Sequence, residues 1–368
     1  MNRRNFLTLL GTAPMLAGVA GAAGVARGQG LAGPGARDLS VSARPVWEAW
    51  KAGYLQPDGR VVDRLQANAS HSEGQGYGMV LATEFADHDS FRRMFDWSEL
   101  TLAVRGDGLL AWRYLPDAPE RIPDRNNASD GDLFYAWALV RAAERFGVPD
   151  YLARASEIAT VLAEKCILPS PARTGELLFV PAVRGFVHDD RMVINPSYLM
   201  PRAMRELGAA TGVGAFAAAA RHGEALTMRL ALDGPVPDWI EVNAGGVTQA
   251  GEFSANAGYE AMRVPLFMVW SGLGSHPAVQ QMMRVYERTV RPGAPVPTLI
   301  EPETGTVLEA SGDPGYRALA ALISCAGRIG QVGAEIPAFD ASQPYYPATL
   351  QLFAMIAANE VFPECVPV

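Results

Sequence analysis

The chain has 368 residues, 49% of them hydrophobic and only 19% charged, which makes it a globular protein with ample material for a sizeable core. Its 31 lysines and arginines against 39 acids give a formal charge of −8, which argues against nucleic acid and anionic membrane surfaces as partners and leaves a neutral polymer compatible. Three scattered cysteines (Cys166, Cys325 and Cys365) allow at most one bridge, and five histidines standing singly give little support to a metal site or any cofactor.

The first elements in the chain read as an address. Met1-Asn2-Arg3-Arg4-Asn5-Phe6-Leu7 is a twin-arginine start, followed by an uncharged stretch from Phe6 to Ala26 that glycines and Pro14 make too weakly apolar for a good membrane span. Residues 1–30 are therefore expected to be an export signal, with a periplasmic or secreted bacterial destination and no stable membrane insertion of the mature chain. Their removal takes three arginines and no acid, which moves the charge from −8 to −11.

Beyond a loose segment to about Asp38, apolar residues recur at helical spacing. The clearest blocks are 73–86, 130–147, 149–165, 195–210, 214–231, 257–272, 276–290, 314–327 and 343–360, with shorter runs near 44–54 and 88–104. About eleven or twelve helices are expected, in pairs that suggest a closed array. Pro- and Gly-rich connections at 115–127, 169–185, 233–251 and 291–312 are long enough to carry short strands and to build a site. No composition shift divides the chain, so residues 31–368 are read as one domain.

Two helix starts carry acids beside capping patterns, Ser72 with Gln75 and Ser129 with Asp132. Glu73 lies in Ser72-Glu73-Gly74-Gln75-Gly76-Tyr77-Gly78-Met79, a run with no other charge, where poor solvation would push a carboxyl toward its neutral, proton-donating form. Asp130 opens the second helix in Ala128-Ser129-Asp130-Gly131-Asp132. A third carboxylate stands beside a phenol and a guanidinium in Tyr259-Glu260-Ala261-Met262-Arg263. Acid chemistry on a glycosidic bond needs such carboxyls on opposite sides of the bond.

These blocks, with Asn195-Pro196-Ser197-Tyr198-Leu199 and Pro237-Asp238-Trp239, resemble glycoside hydrolase family 8 from about Trp47 to Phe362, and within it the periplasmic endoglucanases that accompany bacterial cellulose synthesis. The resemblance implies an all-α (α/α)6 barrel with a few short strands in the loops lining a cleft. It further implies an inverting endo-β-1,4-glucanase whose partner is the polysaccharide, acting as a monomer beside a cellulose synthase complex.

It makes Glu73 the proton donor, Asp130 a ligand of the distorted sugar and Glu260 the base. Family endoglucanases most often carry Asp at that last position, so the reach here grows by one methylene. Tyr198 would hold the attacking water, Arg263 would pair with a carboxylate or sugar oxygen, and Trp112 would be a stacking platform. Tyr77, Tyr259 and Asp132 are the remaining candidate substrate contacts, Asp132 being alternatively the cap partner of Ser129. His188 beside Asp189 and Asp190 is read as a solvated loop. Two alternatives stay open: another β-glycan as substrate, such as chitosan, lichenan or xylan, or a non-catalytic polysaccharide-binding protein with a degenerate base.

Overall fold

The structure is a computed structural model that describes residues 38–366 apart from 292 and 329, so the expected export signal lies outside the described residues. After a helical turn at Leu39–Ser42, eleven helices follow: α1 (Arg44–Tyr54), α2 (Ser72–Glu84), α3 (His88–Thr101), α4 (Ser129–Phe146), α5 (Pro149–Cys166), α6 (Pro201–Thr211), α7 (Ala215–Asp233), α8 (Arg263–Trp270), α9 (Pro277–Thr289), α10 (Pro314–Ala326) and α11 (Tyr345–Val361). Prolines open several of them, at a position where the missing N–H costs nothing.

Helices α2, α4, α6, α8 and α11 form an inner ring in which each packs on the next, and α11 closes the circle on α2. The sequence explains this division. Residues 72–83 of α2 and every residue of α8 are buried, as is nearly all of α11, so these helices are enclosed all round, whereas α3, α5 and α9 bury only one stripe. The core runs continuously through the ring, with Trp50, Trp137 and Trp270 fully buried in it.

Short antiparallel strands fill the long connections: β1 (Ser70–His71) with β2 (Arg113–Tyr114), β3 (Ile167–Pro169) with β4 (Leu177–Phe179), β5 (Arg191–Ile194) with β6 (Ile240–Asn243) and β7 (Gly246–Gln249), and β8 (Val296–Ile300) with β9 (Val307–Ser311). Cys325 and Cys365 form a disulfide, and Cys166 is a free, buried thiol.

Two expectations about local structure are corrected. Neither capping pair forms: strand β1 places extended His71 at the cap of α2, while Gln75 is drawn into the core to bind the Val61 amide at 2.6 Å. Likewise the Ser129 hydroxyl donates to the Val180 carbonyl at 2.7 Å, leaving α4 without a side-chain cap. The block at 257–272 is helical only over Arg263–Trp270, and that at 195–210 starts as a 3-10 turn at Pro196–Tyr198 before α6 begins at Pro201.

Candidate active site

The site is built at the N-terminal ends of inner helices. Glu73 occupies the first turn of α2 and Asp130 the first turn of α4, and the two ends meet because glycines allow it. A Cβ on Gly131 would collide with Ser72 Oγ and lie 2.7 Å from the Glu73 nitrogen, and one on Gly76 would lie 2.8 Å from the Tyr135 nitrogen. The glycine-rich run therefore brings two carboxyls together.

Arg263, the first residue of α8, completes the cluster from across the ring. Its guanidinium is wholly buried. One terminal nitrogen, Nη1, bonds Glu73 Oε2, donates to the Tyr77 hydroxyl at 3.1 Å and lies 3.5 Å from Asp130 Oδ2. The other, Nη2, bonds Glu260 Oε2 and donates to Ser197 Oγ at 2.7 Å. Three carboxylates from distant parts of the chain thus share one cation, with Glu73 and Glu260 on separate prongs.

The electrostatics follow from this crowding. Glu73 is 9% exposed and Asp130 is 2% exposed, so neither carboxyl is well solvated. Asp130 is held well above the usual carboxylate range, first by burial and then by the negative charge of Glu73, with Arg263 and the Gly131 amide at 2.8 Å opposing. A single cation facing three acids leaves the cluster net negative when all are ionised, which favours retention of a proton within it. Glu73 is poorly solvated, as expected, and the charge beside it comes from Arg263, 190 residues away in the chain.

Several other candidates are placed differently from expectation. Asp132 is fully buried, accepts from the Leu110 amide at 2.9 Å and from Asn127 Nδ2 at 3.0 Å, and so fastens the loop before α4 with no face for a sugar. Tyr77 is wedged edge-on between Phe134 and Phe353 beneath Arg263, fully buried, and cannot touch substrate. Arg263 spends its terminal donors on the three carboxylates and on the Tyr77 and Ser197 hydroxyls, and it is fully buried, so the expected pairing is with a carboxylate and not with a sugar oxygen. Trp112 is 3% exposed; its Nε1 donates to Asp124 at 2.8 Å, the Arg113 guanidinium lies 4.2 Å from its ring centre and His71 stacks beside it. The expected platform is covered.

Tyr259 is half-buried, and its hydroxyl donates to Glu309 Oε2 at 3.1 Å. Tyr198 lies with its ring 5.8 Å from the Arg263 guanidinium and its edge toward Trp239. Burial and the charges of Asp130 and Glu260 raise its pKa well above that of a free phenol, so it stays a neutral donor beside the cluster. His188, Asp189 and Asp190 are exposed, as a solvated loop should be.

Three site residues were not singled out from the sequence. Asn195 donates to Glu260 Oε2 at 3.3 Å, and its carbonyl oxygen accepts from the Ser197 hydroxyl that meets Arg263. Asp238 holds the loop that carries Glu260. Asn195 and Ser197 stand in the Asn195-Pro196-Ser197-Tyr198-Leu199 block and Asp238 in Pro237-Asp238-Trp239, with no local feature that marks their contacts to the base loop.

Comparison with known proteins gives the family. The pattern of the glycosyl hydrolases family 8 matches residues 36–360. A probable endoglucanase of Novacetimonas hansenii is 33% identical over 324 residues, covering 85% of this chain and 90% of that one. An endoglucanase of Cellulomonas uda is 34% identical over 231 residues, which is 62% of this chain and 64% of that protein. The solved endo-β-1,4-glucanase CMCax of Acetobacter xylinum superposes with a TM-score of 0.76 at 30% identity, covering 88% of this chain and 99% of that one. A helical toroid of the (α/α)6 type, three carboxyls at one end of its inner ring and a match spanning nearly the whole described chain lead to one conclusion: the protein belongs to glycosyl hydrolase family 8.

Proposed function

We propose that the chain is an endo-β-1,4-glucanase that hydrolyses β-1,4-glucan with inversion at the anomeric carbon. The observation that carries this reading is the placement of Glu73 and Glu260 on separate prongs of one buried guanidinium. Inversion needs two carboxyls about 6.5–9.5 Å apart with room for one attacking water, and separate prongs of one fork keep these two from meeting at a single point.

In this mechanism Glu73 gives its proton to the leaving glycosidic oxygen as the C1–O bond breaks. Glu260 takes a proton from the water whose oxygen bonds C1 from the opposite face. Asp130 lies between the helix ends as a hydrogen-bond partner for the distorted sugar and keeps one proton in common with Glu73, since two acids on one nitrogen cannot both ionise freely. Arg263 is a positioning residue: it fixes both working carboxyls and limits their repulsion. Tyr198, neutral and 8% exposed, is suited to orient the water.

Export by the twin-arginine route to a bacterial periplasm or exterior belongs to the same proposal. It is supported by Arg3-Arg4 and by the Cys325–Cys365 bridge, which persists in oxidising compartments. Trimming of nascent cellulose beside a synthase rests on the resemblance alone. Hydrolysis of carboxymethylcellulose, lichenan, chitosan and xylan by the purified chain tests the substrate. Release of short oligosaccharides from the first, and from lichenan through its β-1,4 links, is expected; turnover of chitosan or xylan alone would overturn it.

A further inference from the structure

The general base and the loop that bears it stand on one further carboxyl, and this deepens the reading above while resting on its assignment of Glu260. Residues 258–262 form no regular helix, yet Glu260 must reach Arg263 with a side chain one methylene longer than aspartate. Asp238, just before β6, is buried, and its Oδ1 accepts from two backbone amides that flank Glu260, Gly258 at 2.9 Å and Ala261 at 2.7 Å. We infer that Asp238 is a positioning residue for the base, a clamp that sets where the Glu260 carboxylate meets the attacking water.

The surroundings fit a clamp. Gly258 lies so close to it that a Cβ there would stand 2.7 Å from Asp238 Oδ2 and 2.7 Å from Leu299 Cδ1, so the glycine is required by the contact. Asp238 itself is immobilised: its amide donates to the Asn256 carbonyl at 2.8 Å, and the adjoining Trp239 stacks on Phe253 and Phe186 in a separate apolar cluster. The other side of the loop is tied by the Tyr346 hydroxyl, which donates to the Tyr259 carbonyl, and by the paired Ala257 and Ile300 backbones. Burial and the neighbouring Glu260 charge push the Asp238 carboxyl up to about 7. An oxygen that accepts two amides in either protonation state acts as an acceptor more than as a counter-charge.

The test compares Asp238→Ala with Asp238→Asn in the full-length mature protein. Removal of the acceptor is expected to lower kcat about 10- to 100-fold with KM changed less than about threefold, while the asparagine, which keeps an acceptor oxygen, stays within about threefold of the parent. A positioning role also predicts that Asp238→Ala leaves the azide-rescued rate of Glu260→Ala unchanged, because azide attack needs no base. A parental kcat for Asp238→Ala, an equal loss for Asp238→Asn, or a parallel drop in the azide-rescued rate would each overturn the clamp. Should Asp238→Ala fail to fold, Gly258→Ala carries the test by crowding the same contact: reduced kcat with KM kept is expected, and a parental kcat refutes it. A parental rate for Glu260→Ala alone would refute the base assignment instead, and a collapsed Glu260→Ala beside an unaffected Asp238→Ala would refute only the clamp.

Discussion

Replacing Arg263 by lysine probes the cluster most sharply, because it keeps the charge and removes the fork. In the parent, Nη1 serves Glu73, Tyr77 and Asp130 while Nη2 serves Glu260 and Ser197. An ammonium is a single point and cannot hold Glu73 and Glu260 in two separate places. At least one charge-assisted bond is lost, worth about 1.5–3 kcal/mol. If that loss falls on the transition state, kcat drops about 10- to 150-fold. The assay is reducing-sugar release from carboxymethylcellulose, run beside urea unfolding to verify that the retained charge preserves the fold. A lysine variant with parental kcat would refute the idea that one guanidinium positions both carboxyls.

Other consequences can be measured separately. Asp130→Asn removes an acid that faces Glu73 across one guanidinium nitrogen and should lower kcat on carboxymethylcellulose; a parental kcat would separate Asp130 from the sugar. Asp132 ionises at about 7 in the fold against 3.8 for a free side chain, and Asp238 behaves alike. Because burial raises these values, the fold binds more protons than the unfolded chain between about pH 4 and 7, and stability falls as pH rises through that window, by up to about 4 kcal/mol for each group. His276, lowered by burial, opposes this with a smaller effect, so urea unfolding should show greater stability at pH 5 than at pH 8. Replacing Cys325 and Cys365 by serine opens a 40-residue loop and should cost about 4 kcal/mol of unfolding free energy; an unchanged urea midpoint would contradict a bridge that restrains the C-terminus.

What was legible in the sequence was whatever local periodicity controls. The nine main helical blocks were placed to within a few residues wherever an apolar stripe or an all-apolar run continued without interruption, as in α4 and α5. The reading slipped where tertiary contacts overrule local preference. Apolar spacing extends the 257–272 block, but two amides of residues 258–261 are taken by Asp238, so the helix starts only at Arg263. The Ser-x-x-Gln pattern looks like a cap in isolation, whereas Gln75 bonds groups 14 to 23 positions away.

The site followed the same division. Glu73, Asp130 and Glu260 stand out in the sequence because each sits in a short motif with its own chemistry, and the structure brings the three to one cluster. That all three meet one guanidinium was not identifiable, since Arg263 lies beside Glu260 in the chain but reaches Glu73 only through ring closure. Two aromatic candidates lie deeper than expected: Tyr77, a candidate substrate contact, is enclosed by Phe134 and Phe353, and Trp112, a stacking platform by resemblance, has Arg113 over its ring.

The stereochemistry of hydrolysis tests the two-carboxylate arrangement most directly. Proton NMR of the first products from a soluble cello-oligosaccharide, followed before mutarotation, should show the α-anomer rising first at the newly formed reducing end. Initial appearance of the β-anomer would mean a covalent intermediate or a different pair of groups, and would contradict Glu73 as acid with Glu260 activating water across the cleft.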